Sequence, residues 1–267
     1  MDGTRDYYQL RAMLDWQVEL GATEAILDAP VNRYEIPDKA PKPMLRPTAA
    51  AAAPADPVDT LPAAAAVDPV AVAQSAAASA ADLGALEDAL AAYEHCELKR
   101  GARNLVFADG RPEARVMIIG EAPGRDEDLA ARPFVGRAGQ LLDRMLDAIG
   151  MARGAENAEA AVYITNILPW RPPQNREPSP EEIAMLRPFV ERHVELVGPD
   201  VLVLMGNIAC QALLGRKGIT RLRGNWAEAL NRPALPMFHP AYLLRNPAAK
   251  RDAWHDLLML QSKLRSL

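Results

Sequence analysis

The chain has 267 residues, 49% of them hydrophobic, and a formal net charge of −5. That length is ample for one sizeable core, and no apolar run reaches the about 18 residues that a membrane-spanning helix needs. Residues 1–6 lack the basic and apolar regions of a secretory signal, and Cys96 and Cys210 are too few for a disulfide framework. We therefore expect a cytoplasmic protein.

The charge is unevenly distributed along the chain. Residues 1–93 carry 6 Lys and Arg against 14 Asp and Glu, whereas residues 94–267 carry 24 against 21. The C-terminal part is thus mildly basic, and many of its arginines fall in loops. A basic patch at the mouth of a cleft can bind phosphates. Ordinary solvated helix surface is the other interpretation, and it suits Arg192 and Arg265.

The N-terminal part predicts a separate helix and a linker. Within residues 1–32, apolar side chains recur at helical spacing over residues 7–27. Residues 33–81 are rich in Ala and Pro and predict a disordered linker. Because a lone helix of this length is marginal in water, it either packs on the main domain or docks elsewhere. We expect a partner protein or a surface remote from any cleft.

Residues 82–267 predict one domain in which strands and helices alternate. The predicted strands cover residues 115–120, 162–165, 201–205 and 235–238. The predicted helices cover residues 82–99, 138–150, 180–196, 207–214 and 250–264. Such alternation is typical of a parallel sheet with helices on both faces. The predicted fold is therefore α/β, a three-layer α/β/α sandwich with a central four-stranded parallel sheet.

The first strand runs into a glycine-bracketed turn. Its apolar residues 116–119 stop at Gly120, and Glu121-Ala122-Pro123-Gly124 completes the turn before a charged loop and the next helix. A strand, a tight turn and a helix form a ligand-binding corner at the carboxyl edge of an α/β sheet. Many folds contain such a corner, so it is weak evidence on its own.

Two further strands end in polar residues, and the three motifs occur in a characteristic order. Residues 162–166 end in Thr-Asn and precede a Pro- and Arg-rich loop at 169–176, and residues 235–238 lead into His239-Pro240-Ala241-Tyr242-Leu243-Leu244-Arg245. Over about residues 86–267 the chain resembles the uracil-DNA glycosylase superfamily, and most of all its fourth family. The resemblance implies the same α/β/α sandwich, with an active site at the carboxyl ends of the strands that removes uracil from DNA.

Base recognition has candidates on three segments. The amide of Asn166 offers a donor and an acceptor side by side, which suits O4 and N3–H of uracil. The alternative role for this side chain is to cap a turn. The resemblance implies that Phe134 stacks on the flipped base, and its alternative is a core phenylalanine. Gly120 and Ala122 are expected to contribute the backbone of the uracil site.

The departing base and the attacking water need further groups. His239 follows a strand, so its imidazole can stabilise the anion that develops on uracil; His95, His193 and His255 fall on predicted helices. The resemblance implicates Glu121 in positioning the water, since Ala122 replaces the aspartate of the best-known branch. Asn175 is a further candidate for orienting substrate or water. Glu127 is the second carboxylate candidate, and it could equally pair with Arg125 or Arg132.

Contacts with DNA are predicted from leucines and cations. Leu243 and Leu244 beside Arg245 could enter the gap that a flipped base leaves, although core residues at a helix start would look the same. The other predicted DNA-binding residues are Arg171, Arg176, Asn207, Arg221 and Arg223.

The fourth family normally holds an iron–sulphur cluster through four cysteines, and this chain departs from that pattern. Two of those four cysteines precede the first strand, and there this chain keeps Cys96 but has Lys99 where the second might be. Near the other two positions, in the loop before Arg171 and in the helix beyond it, stand Trp170 and Leu186. We expect no metal and no cofactor, with Trp170 and Leu186 packing in the space.

The leading hypothesis is a monomeric uracil-DNA glycosylase that acts on uracil-containing DNA and starts base-excision repair. The alternative is a uracil- or abasic-site-binding protein with little turnover. A nucleotide hydrolase is a weaker hypothesis, because the turn at 120–124 lacks the Lys and Ser/Thr of a P-loop.

Overall fold

A computed structural model describes residues 67–267. The predicted N-terminal helix and most of the predicted linker lie outside the described residues. The helices are α1 Pro69–Ser79, α2 Leu83–Ala92, α3 Leu98–Gly101, α4 Arg125–Ala130, α5 Arg137–Asp147, α6 Pro180–Val197, α7 Asn207–Leu214, α8 Ile219–Leu222, α9 Pro240–Arg245 and α10 Lys250–Ser266. The strands are β1 Asp109–Gly110, β2 Val116–Gly120, β3 Val162–Asn166, β4 Val201–Met205, β5 Ala227–Ala229 and β6 Arg232–Met237.

The strands form one mixed sheet in the order β1-β3-β2-β4-β6-β5. The four inner strands are parallel, and Gly120 at the end of β2 lies in register with Asn166 at the end of β3. The α/β class is confirmed. The four-strand prediction needs correction, because β1 and β5 add antiparallel edges. These edges are two and three residues long, too short for an alternating pattern to reveal them.

Apolar side chains cover both faces of the sheet. In β2, Val116 and Ile118 join a buried cluster with residues of α5 and α10, whereas Met117 and Ile119 join a cluster with residues of α6 and α7. Successive side chains of a strand point to opposite faces. This two-sided burial explains why the strand reads as a continuous apolar run, and it directs the polar chemistry to the strand ends.

Among the described helices the longest is α6, and it has clear sequence signals at both ends. Ser179 and Glu182 form a capping box, and Pro180 occupies the first turn. At the other end Gly198 adopts the left-handed conformation with φ 62°. These signals account for the close agreement between the predicted helix and the observed one.

The start of the domain differs from the prediction. Part of the predicted linker, residues 69–79, forms α1, with Asp68 accepting a hydrogen bond from the N–H of Val70 at its N-terminus. Ala73 and Ala77 of α1 are buried, and the hydroxyl of Tyr93 donates to the carbonyl of Pro69 at 2.8 Å. Alanine has the highest helix propensity, so this segment is helical where it can bury one face. Its Ala- and Pro-rich composition concealed that.

Smaller differences concern one helix boundary and several short helices. The predicted helix at 82–99 is divided into α2 and α3, because Tyr93 has an extended backbone with ψ 118°. The short helices α4, α8 and α9 were not predicted, and α4 lies in the segment described as a charged loop. None of the helices in the described part of the chain combines the length and apolarity required to cross a bilayer.

Candidate active site

A pocket of about 440 Å³ opens at the carboxyl ends of the parallel strands. The side chains predicted from the sequence that line it are Glu121, Ala122, Glu127, Phe134, Asn166, Asn175, Arg176, His239 and Arg245. The lining residues that were not predicted as site residues are Pro123, Gly124, Ala138, Pro172 and Ala241. Those five carry no ionisable group, so no chemical signal distinguished them.

Gly120 is the point on which the base-recognition candidates converge. A Cβ atom placed there would lie 2.4 Å from Oδ1 of Asn166 and 2.6 Å from the ring of Phe134. Any side chain would displace both groups, so glycine is required by close approach. The parallel register of β2 and β3 thus brings Asn166 next to the turn that carries Glu121.

Asn166 presents an unpaired amide to the pocket. The residue is 5% exposed, and within the described residues its side chain makes no hydrogen bond. The turn-cap interpretation would require a backbone N–H to donate to Oδ1, and none does in this part of the chain. The amide is therefore free to donate to one ligand atom and accept from its neighbour.

Phe134 forms the adjacent side of the pocket. Its backbone has φ 54°, an uncommon conformation for a residue other than glycine. Its ring is stacked on the imidazole of His239, with 5.4 Å between centroids and 30° between planes. Only 5% of the residue is exposed, and the exposed part faces the pocket. A planar ligand can stack there.

His239 lies two residues beyond the end of β6 and caps the N-terminus of α9. Its Nδ1 accepts the N–H of Ala241 at 3.2 Å. Burial, with a smaller contribution from Arg245, lowers the pKa of His239 to about 4. A neutral imidazole whose Nδ1 accepts carries its proton on Nε2. The ring is therefore prepared to donate one hydrogen bond to a ligand in the pocket.

The two carboxylate candidates have different surroundings. Burial raises the pKa of Glu121, Glu177 raises it further, and Lys217 opposes the shift. The carboxylate of Glu121 accepts no hydrogen bond from the described residues, so it is available to a water molecule.

The carboxylate of Glu127 accepts hydrogen bonds from three backbone N–H groups. Its Oε1 accepts from Val135 at 2.9 Å and Gly136 at 2.8 Å, and Oε2 accepts from Gly124 at 3.1 Å. No ion pair with Arg125 or Arg132 is formed in the described structure. These contacts favour a supporting role for Glu127 over a role in activating water.

The loop that contains Asn175 has an unusual backbone. Gln174 and Asn175 are consecutive residues with φ 55° and 54°, and such conformations tend to occur at functional sites. Nε of Arg171 donates to Oδ1 of Asn175 at 2.9 Å. Arg176 forms a forked ion pair with Glu182, with Nη1 2.9 Å from Oε2. Much of the charge of Arg176 is therefore neutralised by α6.

Two of the residues predicted to contact DNA are engaged inside the domain in this structure. Leu243 is 1% exposed and belongs to a core cluster with Leu141 and Phe238, because α9 turns it inward. Arg223 is bound to buried Asp256, with Nε donating to Oδ2 at 2.9 Å. Both side chains therefore make contacts that stabilise the domain.

The other predicted DNA contacts remain accessible. Leu244 is partly buried, and Arg221, Arg245 and Asn207 are exposed. Neither Arg221 nor Arg245 forms an ion pair within residues 67–267. Oδ1 of Asn207 accepts from the backbone of Gly218 and Ile219, so this residue also holds the loop before α8.

The residues around Cys96 do not suit an iron–sulphur cluster. Cys96, Trp170 and Leu186 are at most 2% exposed and share one apolar core. The chain has 2 cysteines, and burial raises the pKa of Cys96 and raises that of Cys210 to about 12. Iron–sulphur clusters are bound by about four thiolates, and two protonated, buried thiols do not supply them. In the described part of the chain no three His, Cys, Asp or Glu side chains are grouped to hold a metal ion.

The lowered pKa values of His193 and His239 predict acid-sensitive stability. Burial lowers the pKa of His193 from 6.5 to about 3, and His239 titrates at about 4. Well above pH 6.5, at about pH 8, both are neutral in the folded and unfolded chain. As the pH falls from 6.5 towards 4, the imidazoles of the unfolded chain bind protons that those of the folded chain do not, so their contribution to the free energy of unfolding decreases. Urea unfolding at pH 7 and pH 5 measures this.

A matched variant assigns the effect. His193→Gln keeps a partner for the hydroxyl of Tyr163, which lies 2.8 Å from the imidazole, and should remove roughly half of the pH dependence. A pH dependence that is the same in His193→Gln and in the unsubstituted protein would contradict the assignment of a neutral, buried imidazole to His193.

Comparison with known proteins gives consistent matches over this domain. The family model of the uracil DNA glycosylase superfamily matches residues 107–258. A Type-4 uracil-DNA glycosylase of Thermotoga maritima is 42% identical over 154 residues, which cover 57% of this chain and 77% of the relative. A Type-4 uracil-DNA glycosylase of Archaeoglobus fulgidus is 37% identical over 172 residues, 60% of this chain and 82% of the relative. A Type-5 uracil-DNA glycosylase of Thermus thermophilus is 34% identical over 122 residues, 42% of this chain and 55% of the relative.

Proposed function

The chain belongs to the uracil-DNA glycosylase superfamily, and from this membership we propose that it hydrolyses the N-glycosidic bond of uracil in DNA. The observation that carries the proposal is the convergence of Asn166, Phe134 and His239 on one pocket at the strand ends. An amide, an aromatic face and a neutral imidazole donor supply base recognition, stacking and stabilisation of the leaving group.

The base enters the pocket by leaving the DNA stack, since the pocket cannot reach a paired base. The ring of Phe134 stacks on the flipped uracil. Asn166 donates to O4 and accepts from N3–H, which distinguishes uracil from cytosine because cytosine has an amino group at C4 and no proton on N3.

Bond cleavage transfers the electron pair of the C1′–N1 bond to uracil. The sugar then resembles an oxocarbenium ion, and negative charge accumulates on the base. Nε2–H of His239 donates to O2 and stabilises this anion. The water oxygen forms the new bond to C1′, and its proton passes to Glu121, whose raised pKa suits a proton acceptor.

Two groups at the pocket rim orient the substrate. Asn175 lines the pocket on a loop fixed by Arg171, so its amide can bind the sugar or the water. Arg245 lines the same rim without an acidic partner in the described chain, and with Arg221 it offers positive charge to phosphates. Leu244 remains the candidate for the side chain that fills the vacated stack.

The test is release of uracil from a single-uracil oligonucleotide, followed by alkaline cleavage of the abasic product. A glycosylase yields strand breaks at the uracil position and free uracil. Tight binding without release would instead indicate a uracil-binding protein. An identical oligonucleotide with thymine at that position is the control for recognition.

We further propose that the enzyme works without an iron–sulphur cluster. The side chains of Trp170 and Leu186 fill the apolar region around Cys96, and the thiols present are too few. The purified protein is therefore expected to be colourless, without absorbance at about 400 nm and without stoichiometric iron. Coloured protein with about four iron atoms per chain would contradict this proposal.

A further inference from the structure

The segment that carries Phe134 is held by a side chain outside the pocket. We call residues 133–136 the Phe134 loop. Arg153, in the connection between α5 and β3, donates from Nη1 to the carbonyl of Pro133 and from Nη2 to the carbonyl of Phe134, both at 2.9 Å. Arg153 does not line the pocket, and sequence analysis did not identify it.

The guanidinium of Arg153 is itself fixed by two carboxylates. Asp109 of β1 accepts from Nη1 at 2.9 Å, and Asp143 of α5 accepts from Nε at 2.9 Å and from Nη2 at 2.8 Å. All five N–H groups therefore have acceptors, and the side chain is 17% exposed. Lysine cannot reproduce this planar arrangement, because its ammonium is a single point charge.

Glu127 holds the Phe134 loop on its other side. Oε1 of Glu127 accepts the N–H groups of Val135 and Gly136, while Arg153 donates to the two carbonyls that precede them. A cation thus binds the carbonyls and an anion binds the amides of four consecutive residues. Oε2 of Glu127 also accepts from Gly124, which links the loop to the turn after β2.

The loop needs such support because its conformation is locally unfavourable. Phe134 has φ 54°, and residues other than glycine adopt this backbone conformation only when their surroundings enforce it. The approach to α5 is also close, since a Cβ atom at Gly139 would lie 1.7 Å from the carbonyl oxygen of Phe134. A small rotation of this backbone would turn the ring away from His239.

We propose that Arg153, together with Glu127, is a positioning residue that fixes the ring of Phe134 for stacking on the flipped base. The proposal rests on the function proposed above. Arg153 touches neither the pocket nor the substrate, so it acts on catalysis only through the loop. Glu127 is assigned to the same task, in place of the attacking water.

The decisive variant is Arg153→Ala, with Arg115→Ala as its matched control. The side chain of Arg115 is likewise mostly buried, pairs with Asp200 at 2.6 Å and donates to the carbonyl of Leu264, but it contacts no part of the Phe134 loop. Arg153→Ala should slow single-turnover excision by about 10- to 100-fold, in keeping with the cost of a small misplacement in an active site. Arg115→Ala should excise at nearly the unsubstituted rate. Both are assayed at a temperature where each is shown to be folded.

A second measurement reports the loop independently of activity. Hydrogen exchange at the amides of Val135 and Gly136 should accelerate in Arg153→Ala and stay slow in Arg115→Ala. Unchanged exchange in Arg153→Ala would overturn the proposal even if the rate fell, because the loop would then be held without this side chain.

Combination with Phe134→Ala identifies the route of the effect. If Arg153 acts through the ring of Phe134, Arg153→Ala adds almost no further loss in a Phe134→Ala background. A full additional loss, or equal rates for Arg153→Ala and Arg115→Ala, would overturn the proposal. Absence of uracil release by the unsubstituted protein would instead reject the proposed function, so the two failures are distinguishable.

Discussion

His239→Ala is expected to slow single-turnover uracil excision by roughly two orders of magnitude, the typical cost of removing one well-placed donor to a developing anion. The imidazole is held neutral, with a pKa of about 4, and its Nδ1 is occupied by the N–H of Ala241. Only Nε2–H can serve the leaving group. Rapid-quench assays with enzyme in excess measure the chemical step directly.

His255→Ala is the control for this variant, because His255 is exposed on α10 and does not line the pocket. Its excision rate should equal that of the unsubstituted protein. A His239→Ala rate within about twofold of that value would remove His239 from the mechanism, since a well-placed donor is worth far more.

Asn166→Ala should reduce excision by a comparable factor, roughly 100-fold. The amide makes no hydrogen bond to other described residues and is 5% exposed, so its bonding capacity is kept for the base. Asn166→Asp should behave differently. A carboxylate accepts from the amino group of cytosine but repels the O4 of uracil, so the preference should move towards cytosine.

Competition between single-uracil and single-cytosine oligonucleotides measures that shift. Asn157→Ala provides the control, since Asn157 lies in an exposed loop where its side chain accepts only from the N–H of Glu159. Unaltered discrimination in Asn166→Asp would mean that another group reads the pairing edge of the base.

The positions of the residues that follow the parallel strands could be predicted from the sequence. Apolar runs located β2, β3 and β4, and the carboxyl ends of parallel strands meet at one edge of a sheet. Asn166 and His239 were therefore expected in the same place, and both line the pocket. The capping box of α6 fixed that helix equally well.

Features that depend on distant contacts could not be predicted. Arg223 was predicted to bind phosphate, but its guanidinium donates to Asp256, which lies 33 residues later in the chain. Leu243 resembled an exposed wedge, but α9 is six residues long, too short for helical periodicity to indicate which side is buried.

The role of Arg153 was hidden for a related reason. Its partners Asp109 and Pro133 lie 44 and 20 residues away, and nothing in local sequence distinguishes a guanidinium that binds a loop from one exposed to solvent. Glu127 was identified as chemically important, but its backbone partners became visible only in three dimensions.

The leaving-group dependence of excision tests the central claim most directly. Oligonucleotides containing uracil or 5-fluorouracil are compared under single-turnover conditions, with the unsubstituted protein and His239→Ala. The electron-withdrawing fluorine stabilises the departing anion, so it should partly replace the donor. The account predicts uracil release by the unsubstituted protein and a markedly smaller His239→Ala defect with 5-fluorouracil. No base release, or a defect of equal size for both bases, would contradict it.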